Sequence, residues 1–351
     1  MGGLRSASGR AVTIKDIAQA LGMSHSTVSR SLSDSPLISE TTKARVREQA
    51  SEMGYIPDSA ARVMRGGSSN IIGFILPDVQ NHFYSAIANA LAEEASAAGL
   101  QLVLAISGDD PQQELQHVKE LIRARATGIV ITPVAAMDPE TARLLREISV
   151  IQLVRAHPDI KSSVIAAQDA EAIRLSTQHL LELGHRRIAY LGGGPETLST
   201  GIHRLEGYRS AMTATPDAVA SSRLVPPHPE DGYRASMALL QSSTPPTGLI
   251  IGSSQLTLGV LRALRELRLS VPDDISLVSY DDPDWHALWG PGITTIELPI
   301  RAMANLAVKT INQGDIREHK TKDDVTAQQR ATETYALPIR LRERGSCRRL
   351  G

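Results

Sequence analysis

One short run of the chain concentrates side chains that can hydrogen-bond to nucleic-acid bases and phosphates. Hydroxyl and imidazole groups contact base edges in the DNA major groove, and a guanidinium group binds phosphate or guanine. Val28 and Leu32 lie within the run at helical spacing, so one face of a helix would be apolar and the other polar. The run therefore predicts a helix that packs by one side and contacts DNA with the other. Its polar members are Ser24, His25, Ser26, Thr27 and Arg30.

The other residues with catalytic or metal-binding potential do not form a recognisable centre. Asp281 and Asp282 are adjacent, but no histidine or further carboxylate follows at metal-ligand spacing. His185 is predicted to stabilise a helix end as a cation. Residues 192–195 lack the third glycine of the motif that binds dinucleotides. We expect no metal, no cofactor and no enzymatic activity, with Asp281 as a hydrogen-bond acceptor for a ligand and Asp282 as a loop residue.

The polar run belongs to a predicted three-helix head. Apolar residues recur at helical spacing from Ile14 to Leu21, and Gly22 follows where a helix ends. A second helix begins after Ser24, and the pair has the layout of a helix-turn-helix. A third helix is predicted over 40–53, so the head would span residues 1–57.

Five motifs occur in a fixed order along the chain. They are VTIKDIA at 12–18, TVSR at 27–30, GYIPD at 54–58, LGHRRIAYLGG at 183–193 and VSYDD at 278–282. In this order the chain resembles regulators of the lactose- and galactose-repressor family as far as about Gly345. The resemblance implies a homodimeric transcriptional repressor that binds double-stranded DNA at a palindromic operator. It also implies that a small-molecule effector between two lobes controls DNA affinity.

The segment 58–67 is predicted to be a hinge helix. Eight residues followed by two glycines are too few for a stable isolated helix, since helices below about 12 residues are marginal in water. In the family that the chain resembles, paired hinge helices enter the minor groove and wedge a base step apart. The resemblance places Met64 at the wedge position and Ala61 near the groove floor, and adds Tyr55 to the DNA-binding residues.

From Asn70 onward, short apolar runs alternate with amphipathic helices, which predicts an α/β fold. Two doubly wound parallel lobes of the periplasmic-binding-protein-like type account for the alternation. One strand over Thr334–Leu341 is predicted to return to the second lobe. The predicted core, 68–345, divides into lobe one at about 70–168 and 300–330, lobe two at about 169–299 and 331–345, and a tail at 346–351.

Ligands of such folds bind beyond the carboxyl ends of the strands. The sequence departs from the resembled family there, because Ile202 replaces a sugar-binding arginine and Ser253-Ser254 an Asn-Asp pair. Val154 and Leu298 likewise stand at two positions where the resembled family has polar residues. The predicted effector-binding residues are Asn81, Phe83, Tyr84, Thr132, Arg155, Ile202, Ser253, Asp281 and Trp285.

These departures predict an effector with fewer hydroxyl groups than a hexose. The predicted rings of Phe83, Tyr84 and Trp285 suit an apolar or planar face, and Arg155 suits an acid. We therefore expect a less hydroxylated or aromatic acid, with a sugar or sugar acid as the alternative if the alignment slips in these loops.

Composition agrees with a regulator. The 351 residues are 42% hydrophobic and 21% charged, and the net charge of −1 hides a basic head: residues 1–66 hold nine Lys and Arg against six Asp and Glu. No apolar run reaches membrane-spanning length and no signal peptide precedes the head, so we expect a bacterial cytoplasmic protein. The single Cys347 is expected to be a surface thiol.

Two alternatives remain at this point: a periplasmic-type small-molecule binding protein, and an α/β enzyme with an unrelated helical appendage. The basic head disfavours the first, and the absence of a catalytic motif disfavours the second. The tail lacks heptad leucines, so no tetramerising coiled coil is visible, and the sequence leaves dimer versus tetramer open. The sequence leaves open the operator sequence and whether the effector releases or recruits DNA.

Overall fold

The structure is a computed structural model that describes residues 12–33, 35–55, 69–194, 198–318 and 333–350. The chain divides into two compact units, of which the first ends at Gly67 and the second begins at Ser68. The predicted hinge residues Ala61 and Met64 lie outside the described residues. A search of the described helices finds none with the length and apolar character that crossing a membrane requires.

The first unit contains three helices, α1 (Ile14–Leu21), α2 (His25–Leu32) and α3 (Glu40–Glu52). Gly22 follows α1 with a φ of 64°, a left-handed conformation that glycine adopts without steric cost and that turns the chain into α2. The helices bury one small apolar cluster, because each is amphipathic and too short to be stable alone. Its fully or nearly fully buried members are Ile17, Ala18, Val28, Val46 and Ala50.

The second unit contains two six-stranded sheets. The first has the strand order β11-β5-β4-β3-β1-β2 and every pairing is parallel. The second has the order β12-β10-β9-β8-β6-β7 and is parallel except for the β10–β12 pair. The strands are β1 (Ile71–Leu76), β2 (Gln101–Ile106), β3 (Gly128–Ile131), β4 (Val150–Leu153), β5 (Val164–Ala167), β6 (Arg187–Gly193), β7 (Val219–Val225), β8 (Gly248–Ile251), β9 (Ser276–Tyr280), β10 (Thr294–Glu297), β11 (Thr334–Leu337) and β12 (Arg340–Arg342).

Helices connect these strands and bury their central members on both faces. Val130 and Ile250, in the middle of the two sheets, have no exposed surface, as expected for parallel strands covered by helices. The predicted α/β fold with two parallel lobes is confirmed. The helices of this unit are α4 (His82–Ala97), α5 (Pro111–Arg123), α6 (Pro139–Leu144), α7 (Asp169–Glu182), α8 (Ser199–Thr213), α9 (Pro229–Leu240), α10 (Ser254–Leu267), α11 (Trp285–Leu288) and α12 (Ile300–Glu318), with a 3₁₀ turn at Leu145–Glu147.

The chain passes between the two sheets at β5–α7, at β10–α12 and at β11–β12. The first and last passages are tied together, since the Gln168 N–H donates to the Leu337 carbonyl at 3.0 Å. The single strand predicted over Thr334–Leu341 is therefore wrong. The segment forms two strands, β11 in the first sheet and β12 in the second. The sequence analysis also did not identify β10 and α11.

The carboxyl-terminal residues 346–350 are packed against the second sheet, which corrects the prediction of a tail. Ser346 is fully buried, and its hydroxyl donates to the Leu277 carbonyl at 2.7 Å. The Leu350 N–H donates to the Leu183 carbonyl at 2.8 Å. Cys347 is half-buried rather than a surface thiol, and burial raises its pKa to about 11.

Candidate functional sites

The amino-terminal end of α2 presents an ordered set of polar groups. The Ser24 hydroxyl accepts a hydrogen bond from the Thr27 N–H at 3.1 Å and lies 2.9 Å from the Ser26 hydroxyl and 2.8 Å from the Thr27 hydroxyl. Ser24, His25, Ser26 and Arg30 are exposed, while Val28 on the opposite face is fully buried. One face of α2 is thus anchored and the other is available, as a helix that enters the major groove requires.

Tyr55 lies just after α3. Its N–H donates to the Ala50 carbonyl at 2.8 Å, and its partly buried ring packs against the apolar cluster of the first unit. The structure therefore gives Tyr55 a packing role, and its contact with DNA stays a prediction.

A cavity of about 730 Å³ lies between the two sheets of the second unit. Its walls are formed by the segments that follow the carboxyl ends of strands in both sheets, where ligands of doubly wound folds bind. Most of the predicted effector residues line it. These are Asn81, Phe83, Tyr84, Arg155, Ser253 and Asp281, together with Val154, Ser254 and Leu298.

Three predicted effector residues do not line this cavity. The Ile202 side chain is 40% exposed on α8. Thr132 is fully buried, and its hydroxyl donates to the Leu153 carbonyl at 3.0 Å, so the strand end uses its polar group internally. The Trp285 ring packs on the ring of His286, with centroids 4.2 Å apart, rather than facing the cavity. None of the three lines the cavity, and their contact with an effector stays a prediction.

Arg204 is the cavity residue that the sequence analysis missed. Its guanidinium donates from Nε to Asp169 Oδ1 at 2.7 Å and from a terminal nitrogen to the Gly252 carbonyl at 2.9 Å. It lies 3.8 Å from the centroid of the Tyr280 ring, a cation–π distance. Because Asp169 is only 5% exposed, the pair is a buried ion pair at the cavity wall. The cavity therefore contains an arginine, two residues along the chain from the position at which the resemblance placed one.

Arg155 is also engaged. Its two terminal nitrogens donate to the Asp109 carboxylate at 2.5 and 3.4 Å. Arg155 itself is buried, which strengthens the pairing because little water competes. The Asp109 carboxylate already neutralises part of the Arg155 charge, and the role of Arg155 as a counter-charge for an acid stays a prediction.

Asp281 ends β9 in a left-handed conformation, with φ 73°. Its carboxylate accepts hydrogen bonds from the Asp282 N–H at 2.9 Å and from the Ser254 hydroxyl at 3.3 Å. Burial raises its pKa above the usual range for aspartate. Asp282 is held by two nitrogens of Arg344 at 2.8 Å each, which makes it an ion-pair partner rather than a simple loop residue.

The remaining predicted chemistry is structural. His185 is buried, with Nδ1 2.9 Å from the Thr247 hydroxyl and Nε2 3.1 Å from the Arg348 carbonyl. Burial lowers its pKa, which disfavours the cationic form that was expected at this helix end. No group of three His, Cys, Asp or Glu side chains in the described part of the chain can hold a metal ion.

Comparisons with known proteins match both units. The family described as bacterial regulatory proteins, lacI family, matches residues 13–58, and a periplasmic binding protein-like domain matches residues 177–347. The transcriptional regulator GalR of Escherichia coli is 30% identical over 85% of this chain and 87% of its own. The ribose operon repressor of Escherichia coli is 29% identical over 95% of this chain and 99% of its own. A crystal structure of the lac repressor dimer bound to operator and an anti-inducer has a TM-score of 0.79 at 26% identity, covering 96% of this chain and 99% of that one.

Proposed function

The chain belongs to the lacI family of bacterial regulatory proteins. From this premise we propose that it is a repressor and that a small molecule bound between its lobes controls its affinity for DNA. That the protein is a DNA-binding transcriptional regulator follows from the family. One observation supports control by a small molecule: the same chain contains both an exposed polar face on α2 and a cavity of about 730 Å³ between two lobes.

We propose a homodimer that binds a palindromic operator. Each head presents one recognition helix, and a C2 dimer presents two helices related by a dyad. The lac repressor relative binds its operator as a dimer, and we propose the same assembly for this chain.

The expected DNA site is an approximate palindrome with half-sites about one helical turn apart or closer. Genomic fragments selected by the purified full-length protein, followed by footprinting, measure this directly. Two protected half-sites related by a dyad support the proposal. A single asymmetric half-site protected by a monomeric protein would contradict it.

We propose that the effector is neutral and not an acid. Both arginines at the cavity are paired with carboxylates, Arg155 with the exposed Asp109 and Arg204 with the buried Asp169. Asp78 and Asp281 also line the cavity, and neither has a hydrogen bond from an arginine. An anion would therefore lose its hydration without finding an available cation, which is costly.

The presence of Arg204 weakens the earlier expectation of a poorly hydroxylated effector, because that expectation assumed that the arginine was missing. Apolar groups such as Phe83 and Leu224 share the cavity with Arg204, Asp281 and Ser253. This mixture suits a neutral molecule with one apolar face and several hydroxyl or amide groups on the other.

A thermal-shift screen of neutral sugars, nucleosides, sugar acids and aromatic acids tests whether the effector is neutral. A neutral compound at 100 times its Kd should stabilise the protein by about 2.7 kcal/mol, and Asp281→Asn should abolish the shift. Gln241→Ala, an exposed position on the second lobe, serves as the matched control. Stabilisation by an acid that is lost in Arg155→Met would overturn the assignment.

A further inference from the structure

The lobes are connected by hydrogen bonds besides the three chain passages. One joins the Ala156 N–H to the Ser199 hydroxyl at 3.0 Å. The other involves Gln255, in the first turn of α10, which itself lines the cavity. With its amide oriented to satisfy both neighbours, the Gln255 nitrogen donates to the Pro227 carbonyl at 2.7 Å and its oxygen accepts from the Asn81 N–H at 3.0 Å. The Asn81 N–H is shared, since it also donates to Asp78 Oδ1 at 2.8 Å within the first lobe.

The two partners of Gln255 lie on different lobes. Pro227 follows β7 of the second sheet, whereas Asn81 precedes α4, which packs on the first sheet. Asn81 is the N-cap of α4, since its Oδ1 accepts from the Phe83 N–H at 3.1 Å. The bond therefore ties α10 to the turn from which Phe83 and Tyr84 enter the cavity.

We propose that Gln255 is the latch of the cleft, holding the two lobes together across the cavity through its Asn81 bond. The proposal rests on the proposed function, because it assigns to that same cavity the residue that couples ligand occupancy to lobe closure. A ligand beside Gln255 and Asn81 competes for or completes the same hydrogen bonds, so its arrival shifts the equilibrium between open and closed lobes.

Gln255 is suited to this role by its chemistry as well as by its place. An amide supplies a donor and an acceptor on one planar group, so it can satisfy a carbonyl on its own lobe while it accepts an N–H from the other. Alanine at this position leaves the Pro227 carbonyl without this partner and removes the link to Asn81. The geometry of β8 and α10 stays the same, because Ser253 and Ser254 at the start of α10 are unchanged.

The test is a spin-label distance measurement on the full-length, effector-free protein. Labels are placed at exposed Gln116 on α5 and exposed Arg265 on α10, in a Cys347→Ser background. Labelled chains are mixed with excess unlabelled chains before assembly so that distances within one protomer dominate. Gln255→Ala should raise the population at longer distances about 2- to 10-fold relative to wild type, the range that one net hydrogen bond supplies.

Gln241→Ala is the matched control, since Gln241 is an exposed glutamine on the second lobe outside the cavity. It should leave the distance distribution unchanged. Unchanged urea-unfolding midpoints would show that Gln255→Ala still folds. A distance distribution in Gln255→Ala identical to that of wild type would overturn the latch. Because the measurement uses neither DNA nor effector, it can fail while the operator footprint still supports the proposed function.

Discussion

Replacing Arg204 with methionine is expected to destabilise the second unit by about 3–5 kcal/mol, the cost of leaving one partner of a buried ion pair uncompensated. Asp169 is 5% exposed and would lose the 2.7 Å contact from Arg204. The Gly252 carbonyl would also lose its donor. Urea unfolding of the full chain, followed by far-ultraviolet circular dichroism, measures the loss.

Two further variants separate the ion pair from general packing. Asp169→Asn combined with Arg204→Met removes both charges and should recover most of the lost stability. Arg262→Met removes an arginine that stacks on Tyr233 at 4.2 Å and pairs with Glu230 on the surface. That change should cost at most about 1 kcal/mol, because exposed pairs contribute little. A loss below 1 kcal/mol for Arg204→Met would contradict the interpretation.

The double variant His25→Ala, Ser26→Ala is expected to change which bases the head prefers. Both side chains are exposed at the start of α2, where recognition helices contact base edges. Each lost base contact should reduce discrimination at its position by about 1–3 kcal/mol. Selection from a random DNA library with wild-type and variant proteins would show this as a relaxed position in both half-sites.

Arg45→Ala is the control for sequence-independent binding. Arg45 is exposed on α3, and the loss of a phosphate contact there should weaken binding to all sequences together and reduce the salt slope by about 1. Both variants should keep the head folded, because neither touches the cluster around Val28 and Val46. Base preferences that are the same in wild type and the His25, Ser26 variant would refute the assignment of these residues.

The elements with the clearest sequence pattern were also the best predicted. β1 coincides with a continuous apolar run, which is typical of a parallel strand that is buried by helices. β12 was missed because it has only three residues, with arginine at both ends and no apolar periodicity. Its position depends on pairing with β10 across the sheet, which local sequence does not encode.

Cavity residues that directly follow a strand could be predicted from the sequence. The prediction failed for residues whose direction depends on their position around a helix. Asp281 was found because it directly follows β9. Ile202 was chosen from the family resemblance and not from the phase of the helix. Positions two residues apart on α8 point in very different directions at about 100° per residue, so Ile202 is 40% exposed while Arg204 lines the cavity. Thr132 also follows a strand, but its hydroxyl is used by the neighbouring strand, a contact visible only in the fold.

The position of β11 has a consequence for synthesis on the ribosome. β11 completes the first sheet beside β5, although 166 residues separate the ends of these strands in the sequence, from Ala167 to Thr334. Until that late segment emerges, β5 presents an unpaired edge, and unpaired edges of nascent sheets pair with other chains. The nascent protein thus carries an aggregation-prone edge for much of its translation, and a ribosome stalled before residue 334 would release a chain whose first lobe is unfinished.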